Sequence, residues 1–536
     1  MVKLPNMNRP GSIQASAAPV AVPLATLFAG FPFHYFPSEI PSVPINGIAI
    51  DNREVEPGNL FVAMPGGTAD GHDFIVDAIA RGAHAVVCEK EINDLPVPCI
   101  RVQNSRQSLS WLAAAFYGNP GHSLTVIGVT GTDGKTTTCN LLYQILLSAG
   151  LKAGLVSTVN AIIGEEVLDT GFHVTTPDAP DVQRYLARMV EGGMTHAVLE
   201  TTSHGWAQFR VDACEFDIGI ITNITHEHLD QHGSYENYRA AKARLFQSLE
   251  DTPVKLQGNP RLAVLNRDDS SYEYLSQHIS GPQISYGLEA TADIRAQAVE
   301  YSPQGLHFKA VGDGFRFPVT SPLVGTFNVS NCLAALAAAS RGLGLDAEAI
   351  ADGIAAMPGI PGRMERVDLG QPFTAIVDFA HTPNALRVAI ETIRKMTEGR
   401  VIVIFGSAGL RDKEKRRMMA EVAAQWADVS ILTAEDPRTE SLEGILGEMA
   451  DGARRLGGVE QKSFWRVADR GEAIRFGVRL ARPGDALVTC GKGHEQSMCF
   501  GTTEYPWDDR VALRAALSEA LKLAGPKMPY LPTQGK

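Results

Sequence analysis

No stretch of this chain offers about eighteen consecutive apolar residues, so no membrane-spanning helix is expected. No CxxC pair is present, which sets aside zinc ribbons and dithiol redox centres. No basic block offsets the net charge of −12, so nucleic acid is unsuited as a main partner. Internal repeats and long low-complexity blocks are missing too, which excludes solenoids and largely disordered chains. The seven cysteines (Cys88, Cys99, Cys139, Cys214, Cys332, Cys490, Cys499) are odd in number and scattered, a pattern of free thiols in a reducing, cytoplasmic compartment. What remains is ordinary globular composition, 44% hydrophobic and 20% charged. At 536 residues the chain is too long for one core, and about three domains are expected.

Near the N-terminus, Lys3 and Arg9 precede a small-residue apolar stretch from Ala15 to Phe31. Pro19 and Pro23 interrupt it, which favours a floppy leader through about Ala21 over a secretory signal. Short β-like pieces (Gly47–Ile50, Leu60–Ala63, Ala85–Cys88) and helical stretches follow, up to a linker-like Asn119-Pro-Gly-His-Ser123. Strands and helices then alternate to a second break at Met357-Pro-Gly-Ile-Pro-Gly362. A third alternating section ends in a Lys/Pro-rich tail. The expected division is a flexible leader over 1–24, domains over 25–122, 123–358 and 359–525, and a tail over 526–536. The class is α/β.

The most informative run is Leu124 to Thr136. An apolar, β-branched strand stops at a glycine-rich turn, Gly131-Thr132-Asp133-Gly134-Lys135-Thr136, and a helical stretch follows from Thr137 to Leu147. Such a turn aims backbone N–H groups at a phosphate chain. Lys135 would reach the β/γ-phosphates and the Thr136 hydroxyl would ligate Mg²⁺. The general P-loop wants a glycine where Val129 stands, so this is a narrower variant.

Downstream, polar clusters recur at strand ends: Glu200 after Ala197–Leu199, and Thr225-His-Glu-His-Leu-Asp230 after Asp217–Ile221. Asp378 follows Thr374–Val377, and Gly406-Ser-Ala-Gly-Leu-Arg411 follows Val401–Phe405. Glu435-Asp-Pro-Arg438 follows Val429–Leu432, and Gly491-Lys-Gly-His-Glu495 follows Ala486–Thr489. Ligands of open α/β sheets bind beyond the carboxyl ends of strands, so two sheets suggest one cleft between two domains. Glu200 is placed to hold the nucleotide's Mg²⁺, directly or through water. His226, His228 and His232 with Asp230 lack a cysteine partner and a His-Glu-x-x-His frame, which disfavours zinc; a lone Mg²⁺-contacting imidazole at His228 fits better. Ser234 is a reasonable N-cap for a helix on which Tyr235, Tyr238, Lys242 and Leu245 share one face. Spacing alone favours a snorkelling Lys242. The other reading is a desolvated amine of depressed pKa, able to add CO₂ and form a carbamate.

With these residues the chain resembles the Mur ligases nearly end to end, from about Asn46 to Leu517. The motifs that carry the likeness include Thr175-Thr-Pro-Asp178, Glu200-Thr-Thr-Ser-His-Gly205, Asn223-Ile-Thr-His-Glu-His228, Gly325-Thr-Phe-Asn-Val-Ser-Asn331, Gly362-Arg-Met-Glu365 and Asp378-Phe-Ala-His-Thr-Pro383, besides the P-loop and Gly491–Glu495. The resemblance implies an N-terminal UDP-binding domain, a central P-loop ATPase domain with a parallel-rich sheet, and a Rossmann-like C-terminal domain. It implies ATP-dependent ligation of a free diamino acid to a UDP-linked muramoyl dipeptide through an acyl phosphate, with two Mg²⁺ ions, by an enzyme expected to be monomeric. It places Lys135, Glu200, His228 and a carbamylated Lys242 in the catalytic and metal site with Thr136. It assigns Gly131 to Thr137, Asn328, Asn331, Arg363 and Asp378 to ATP. Asn52 (where serine is usual), Thr175, Thr176, Ser203, Gln208 and Arg210 fall to the UDP-linked substrate. Arg411, Glu435, Asp436, Pro437, Arg438, Gly491 and Glu495 fall to the incoming amino acid.

Two arginines near one site suit the distal carboxylate of diaminopimelate. Asp436 replaces the usual asparagine; its charge could pair with Arg438, or favour the ammonium end of lysine or ornithine. Diaminopimelate is the favoured substrate. Other acid–amine ligases, such as folylpolyglutamate synthetases, are disfavoured by Thr175-Thr176, Arg210 and Gly491–Glu495. A non-catalytic scaffold would be expected to lose Lys135, Lys242 or His228, and a signalling nucleotidase has no need of the C-terminal constellation.

Overall fold

The computed structural model describes residues 21–31, 40–66, 69–168, 175–225, 233–289, 291–302 and 305–533. Three large sheets organise them, with two two-stranded ones beside them. The first has four parallel strands in the order Gly47–Ala49, Asn59–Val62, Ala85–Cys88, Cys99–Arg101. The helix Ser105–Phe116, capped by Asn104 accepting from the Gln107 N–H, covers one face with Leu109, Leu112 and Phe116. Of the leader expected over 1–24, residues 1–20 lie outside the described residues, and residues 22–24 are packed. Val22–Pro23 pairs antiparallel with Pro44–Ile45, and Leu24 is fully buried against the first sheet. An apolar Leu24 has a core to enter, and that entropy cost is offset by burial.

The linker-like Asn119–Ser123 is also packed. It forms a single tight turn, Pro120–Ser123, with Gly121 against the Cys214 carbonyl and His122 beside Glu215.

The central sheet has eleven strands. Its parallel heart runs Ala153–Val156, His196–Glu200, Thr125–Thr130, Phe216–Ile221, Leu262–Asn266, Gln283–Gly287. Ile294–Ser302 extends this parallel set, and antiparallel additions then flank both ends, Gly305–Gly312 and Phe315–Ser321 on that side and Ala161–Ile163 and Glu166–Leu168 on the other. Thr125–Thr130 is buried along its whole length, as expected for a strand with helices on both faces. It feeds the helix Lys135–Ser148, whose Leu141, Leu142, Ile145 and Leu146 enter the core with the helix Phe327–Ala337.

The C-terminal sheet has six strands in the order Glu365–Arg366, Thr374–Asp378, Ala486–Cys490, Val401–Phe405, Val429–Leu432, Phe464–Arg466. All are parallel but the first. The last of these strands in the chain, Ala486–Cys490, inserts between Thr374–Asp378 and Val401–Phe405, so the strand order switches there, where ligands of open α/β sheets bind at the carboxyl ends. The tail docks on this unit: Leu531 is fully buried and Thr533 Oγ1 donates to Asp469 at 2.7 Å.

Candidate active site

The P-loop turn is held in shape from beneath. Gly134 has φ +83°, and a Cβ there would come 2.3 Å from Asn331 Oδ1. Only glycine lets the helix Phe327–Ala337 press its polar side onto the turn. Asn331 Nδ2 donates to Asn328 Oδ1 at 2.8 Å, so Asn331 meets the P-loop and Asn328 stands behind it. Asn223 Oδ1 accepts the Asp133 N–H at 2.9 Å and Thr222 Oγ1 donates to the Asp133 carbonyl at 2.6 Å. Lys135 Nζ donates to the Thr132 carbonyl at 2.8 Å.

Glu200 ends its strand beside the turn, 3% exposed. Its Oε1 accepts from the hydroxyls of Thr136 (3.0 Å) and Thr158 (2.8 Å), and its Oε2 accepts the Thr158 N–H at 2.9 Å. Sequence reasoning missed Thr158, because a lone threonine after Ala153–Val156 carries no motif. Lys242 does not snorkel. It is 1% exposed on the helix Tyr235–Asp251, donates to the Gly131 carbonyl at 2.5 Å, and lies 4.5 Å from the centre of the Tyr238 ring. The helix runs under the P-loop, so the shared face that suggested snorkelling points inward instead. Ser234 caps it, accepting the Asn237 N–H at 3.2 Å. Tyr238 reaches Thr132 through its hydroxyl at 3.0 Å. His228, with His226, Asp230 and His232, lies outside the described residues.

On the other side of Glu200 sit five of the residues assigned to the UDP-linked substrate. Thr176 Oγ1 accepts the Thr202 N–H at 3.0 Å and donates to the Glu200 carbonyl at 3.3 Å. Arg210 donates to the Thr176 carbonyl at 2.6 Å and twice to Gln208 Oε1. Asp178 stands 3.2 Å from Arg210 Nε. Ser203 opens the neighbouring short helix and is buried, while Thr175 precedes Thr176 in a bend. Asn52 does not join this group. It sits in the first sheet's unit, where its Nδ2 donates to Asp77 at 2.7 Å.

Arg363 and Asp378 come together in the C-terminal unit. Asp378 accepts the N–H groups of Met364 (2.7 Å) and Ala380 (2.8 Å), and Arg363 stacks 4.3 Å over Phe379. Burial raises the Asp378 pKa, with Arg363 opposing it. Among the described residues no hydrogen bond joins Arg363 or Asp378 to the P-loop.

The amino-acid group lies on neighbouring strand ends. Arg411 and Arg438 follow Val401–Phe405 and Val429–Leu432, which pair directly. Gly409 N–H donates to the Asp436 carbonyl at 2.9 Å, tying the two loops together. Neither guanidinium has an ion-pair partner among the described residues. Asp436 does not pair with Arg438. Its carboxylate takes Lys492 Nζ at 3.0 and 3.1 Å and the Cys499 N–H at 2.9 Å. Lys492, fully buried, also meets Glu495 at 2.5 Å. Burial disfavours its charge, but Glu495 and Asp436 outweigh that and raise its pKa. Lys492 was in plain view in the Gly491–Glu495 motif, yet nothing local showed that it faces a residue 56 positions away.

Glu435 is 7% exposed, and its Oε2 has no hydrogen-bond partner among the described residues. Burial pushes its pKa up to about 7, against the pull of Lys415, Arg470 and Lys492. Gly491 (φ +109°) lets this carboxylate approach, since a Cβ would stand 2.3 Å from Oε2.

Three sequence profiles match the chain: "Mur ligase family, catalytic domain" over residues 44–117, "Mur ligase middle domain" over 129–339, and "Mur ligase, glutamate ligase domain" over 362–493. A UDP-N-acetylmuramyl-tripeptide synthetase of Roseiflexus sp. (strain RS-1) is 43% identical over 505 residues, 90% of this chain and 97% of the relative. A UDP-N-acetylmuramoyl-L-alanyl-D-glutamate–2,6-diaminopimelate ligase of Geobacillus kaustophilus is 40% identical, over 89% of this chain and 95% of the relative. A solved structure of a ligase of that second name superposes with a TM-score of 0.65 at 31% identity, covering 94% of this chain and all of the other. The three-sheet α/β fold, the P-loop with its buried Glu200, and similarity along nine-tenths of the chain lead to one assignment: this chain belongs to the Mur ligase family of ATP-dependent ligases.

Proposed function

We propose that the chain joins meso-diaminopimelate to the D-glutamyl carboxylate of UDP-N-acetylmuramoyl-L-alanyl-D-glutamate, as a cytoplasmic monomer supplying peptidoglycan precursors. In this reading residues 25–122 take the uridine end, 123–358 hold ATP, and 359–525 present the amino acid. The substrate carboxylate attacks the γ-phosphorus of ATP, ADP departs, and an acyl phosphate forms. The amine of the diamino acid attacks that carbonyl carbon, and phosphate leaves as the amide forms.

The P-loop N–H groups and Lys135 stabilise charge on the transferring phosphoryl group. Thr136 and Glu200 offer neighbouring hard oxygen donors in a buried site, a donor set that suits Mg²⁺. Bound there, Mg²⁺ would neutralise phosphate charge. His228 and a carbamylated Lys242 complete the set that family resemblance implies. Arg210, Thr176, Ser203 and Gln208, clustered beside Glu200, hold the muramoyl peptide with its carboxylate turned to the P-loop.

One observation carries the choice of diaminopimelate. Arg411 and Arg438 stand on neighbouring loops without an ion-pair partner among the described residues, while the negative charge that argued for lysine, Asp436, is occupied by Lys492. Two guanidinium groups, with Asp436 and Glu495 both held by Lys492, suit a carboxylate end. Glu435 remains for the ammonium on the same carbon.

The test is phosphate release with UDP-N-acetylmuramoyl-dipeptide, ATP and an amino-acid panel. Lysine would leave both guanidiniums unpaired, so kcat/KM for meso-diaminopimelate should exceed that for L-lysine and L-ornithine by about a hundredfold or more. Equal use of lysine or ornithine would sink the substrate choice and leave the ligase chemistry standing.

A further inference from the structure

The loops that carry Arg411 and Arg438 are held in conformations that side chains rarely adopt. Leu410 (φ +56°), Asp436 (φ +40°) and Arg438 (φ +54°) are three of the twelve non-glycine residues with positive φ among the described residues. Such backbone persists only where the surroundings over-determine it. Part of that support is visible: Gly409 N–H binds the Asp436 carbonyl, and Arg438 binds Cys499 and Gly501 through its backbone. The rest comes from two residues with no assigned role.

Arg416, on the helix Lys413–Trp426, is 1% exposed. Its Nη2 donates to Glu440 Oε2 at 2.8 Å and to the Ala408 carbonyl at 3.4 Å, and its Nη1 donates to Glu448 at 2.9 Å. Glu440 follows the Glu435–Arg438 loop, and its Oε1 accepts the Leu410 N–H at 2.6 Å. One guanidinium and one carboxylate therefore bracket both loops, gripping Ala408 and Leu410 on one side and the start of the next helix on the other. Burying a guanidinium is costly, and its Nε finds no acceptor among the described residues, so simple stability is a poor reason for placing it there.

We infer that Arg416 and Glu440 are positioning residues, which set the separation of Arg411 and Arg438 and through it the selectivity for a diamino acid bearing a distal carboxylate. This rests on reading those two arginines as a carboxylate clamp. A bidentate grip tolerates little misplacement, and a shift of about 1 Å is enough to lose it. Loosening the bracket should therefore cost affinity for the amino acid while the P-loop and the UDP-peptide site, on other sheets, keep theirs.

The experiment measures KM for meso-diaminopimelate, ATP and the UDP-dipeptide, and kcat/KM for L-lysine, in full-length wild type, Arg416→Met, Arg416→Lys, Glu440→Gln and Glu448→Gln. Arg416→Met and Glu440→Gln should raise KM for diaminopimelate about tenfold or more and shrink the preference over lysine, with both other KM values within about twofold. Arg416→Lys should recover part of the loss. Glu448, 43% exposed and bonded to neither loop, should behave as wild type when changed to Gln. Glu440→Gln keeps an acceptor for Leu410 and is the informative variant if Arg416→Met fails to fold. A wild-type enzyme that discriminates, with Glu440→Gln and any folded Arg416→Met unchanged or losing all three substrates together, overturns the inference alone. A wild type that uses lysine as well as diaminopimelate overturns the clamp, and the inference with it.

Discussion

At the scale of single residues, the candidate site is a set of buried charges whose surroundings decide their state. Lys242 is the sharpest case. Its side chain is 1% exposed, with the amine donating to the Gly131 carbonyl beside the Tyr238 ring. The carbamate that family resemblance implies forms when the neutral form of an amine adds CO₂. Lys242→Ala should be nearly inactive, and acetate or another small carboxylic acid should restore part of the rate; intact-protein mass in bicarbonate should show one added CO₂ that the variant lacks. No added mass in active, bicarbonate-treated enzyme would count against the carbamate. Glu435 yields a pH prediction. Its folded pKa of about 7 lies above the ordinary glutamate value of 4.5. A raised value means the folded state holds the proton more tightly, so the stability it contributes is complete below about pH 4.5 and lost as pH rises through 7. Glu435→Gln should therefore flatten the fall in melting temperature between about pH 5 and pH 8. The same titration supplies the negative charge that greets an ammonium group. KM for diaminopimelate should fall from pH 6 to pH 8 in wild type and stay level in Glu435→Gln. A wild-type KM that does not respond to pH across that window would refute this role.

At the scale of elements, the strand from Phe216 to Ile221 shows how the P-loop is anchored. Asp217 accepts the Val126 N–H at 2.7 Å, and Lys255 Nζ meets Asp217 at 2.6 Å while donating to the carbonyls of Leu124 and Glu215. Both side chains are fully buried, and burial shifts each toward its neutral form: Asp217 up, Lys255 down. Lys255→Met strands a carboxylate in the core and should cost about 3–5 kcal/mol in urea unfolding, while adding Asp217→Asn should recover most of it. A loss under about 1 kcal/mol for the single variant would show that the pair stays hydrated. This pair also marks a limit of sequence reading. The strands Val401–Phe405 and Val429–Leu432 were legible to the residue, because a continuous β-branched run bounded by glycine or acid has one reading in an α/β chain. The strand-end clusters were legible too, since ligand sites collect at carboxyl ends. Partnerships across the sheet were not. Nothing local to Asp436 tells that Lys492 neutralises it, nor that Lys242 faces inward beneath Gly131, because both depend on which strands become neighbours. The eleven-strand width of the central sheet was likewise hidden, as Gly305–Gly312 and Phe315–Ser321 alternate polar and apolar residues with no functional motif.

At the scale of the whole molecule, the residues that resemblance assigns to one nucleotide lie on two units. Asn331, bonded to Asn328, packs at Gly134, whereas Arg363 and Asp378 are bonded only within the C-terminal unit among the described residues. One ATP that touches both sets bridges the two units, and an approach of the units is the expected way to close on it. The connection between them has a suitable pivot. Gly359 adopts φ +87° with open space around it, while Gly362 is wedged against Gly493 and His494 and moves with the C-terminal unit. Arg363 is poised for such a step, since its Nε is buried without a hydrogen-bond partner and its guanidinium rests on Phe379. Binding of ATP with the UDP-dipeptide should therefore lower the radius of gyration in small-angle scattering. Closure should depend on Arg363, because a charged hydrogen bond to phosphate or base is formed only in the closed state. Arg363→Ala should abolish the contraction and raise KM for ATP by about tenfold or more, the loss expected for one charged hydrogen bond. KM for diaminopimelate should rise less, as Arg411 and Arg438 are assembled within the C-terminal unit alone. A wild-type enzyme whose scattering is unchanged by both substrates, or an Arg363→Ala variant that contracts as wild type does, would place the closing contact elsewhere.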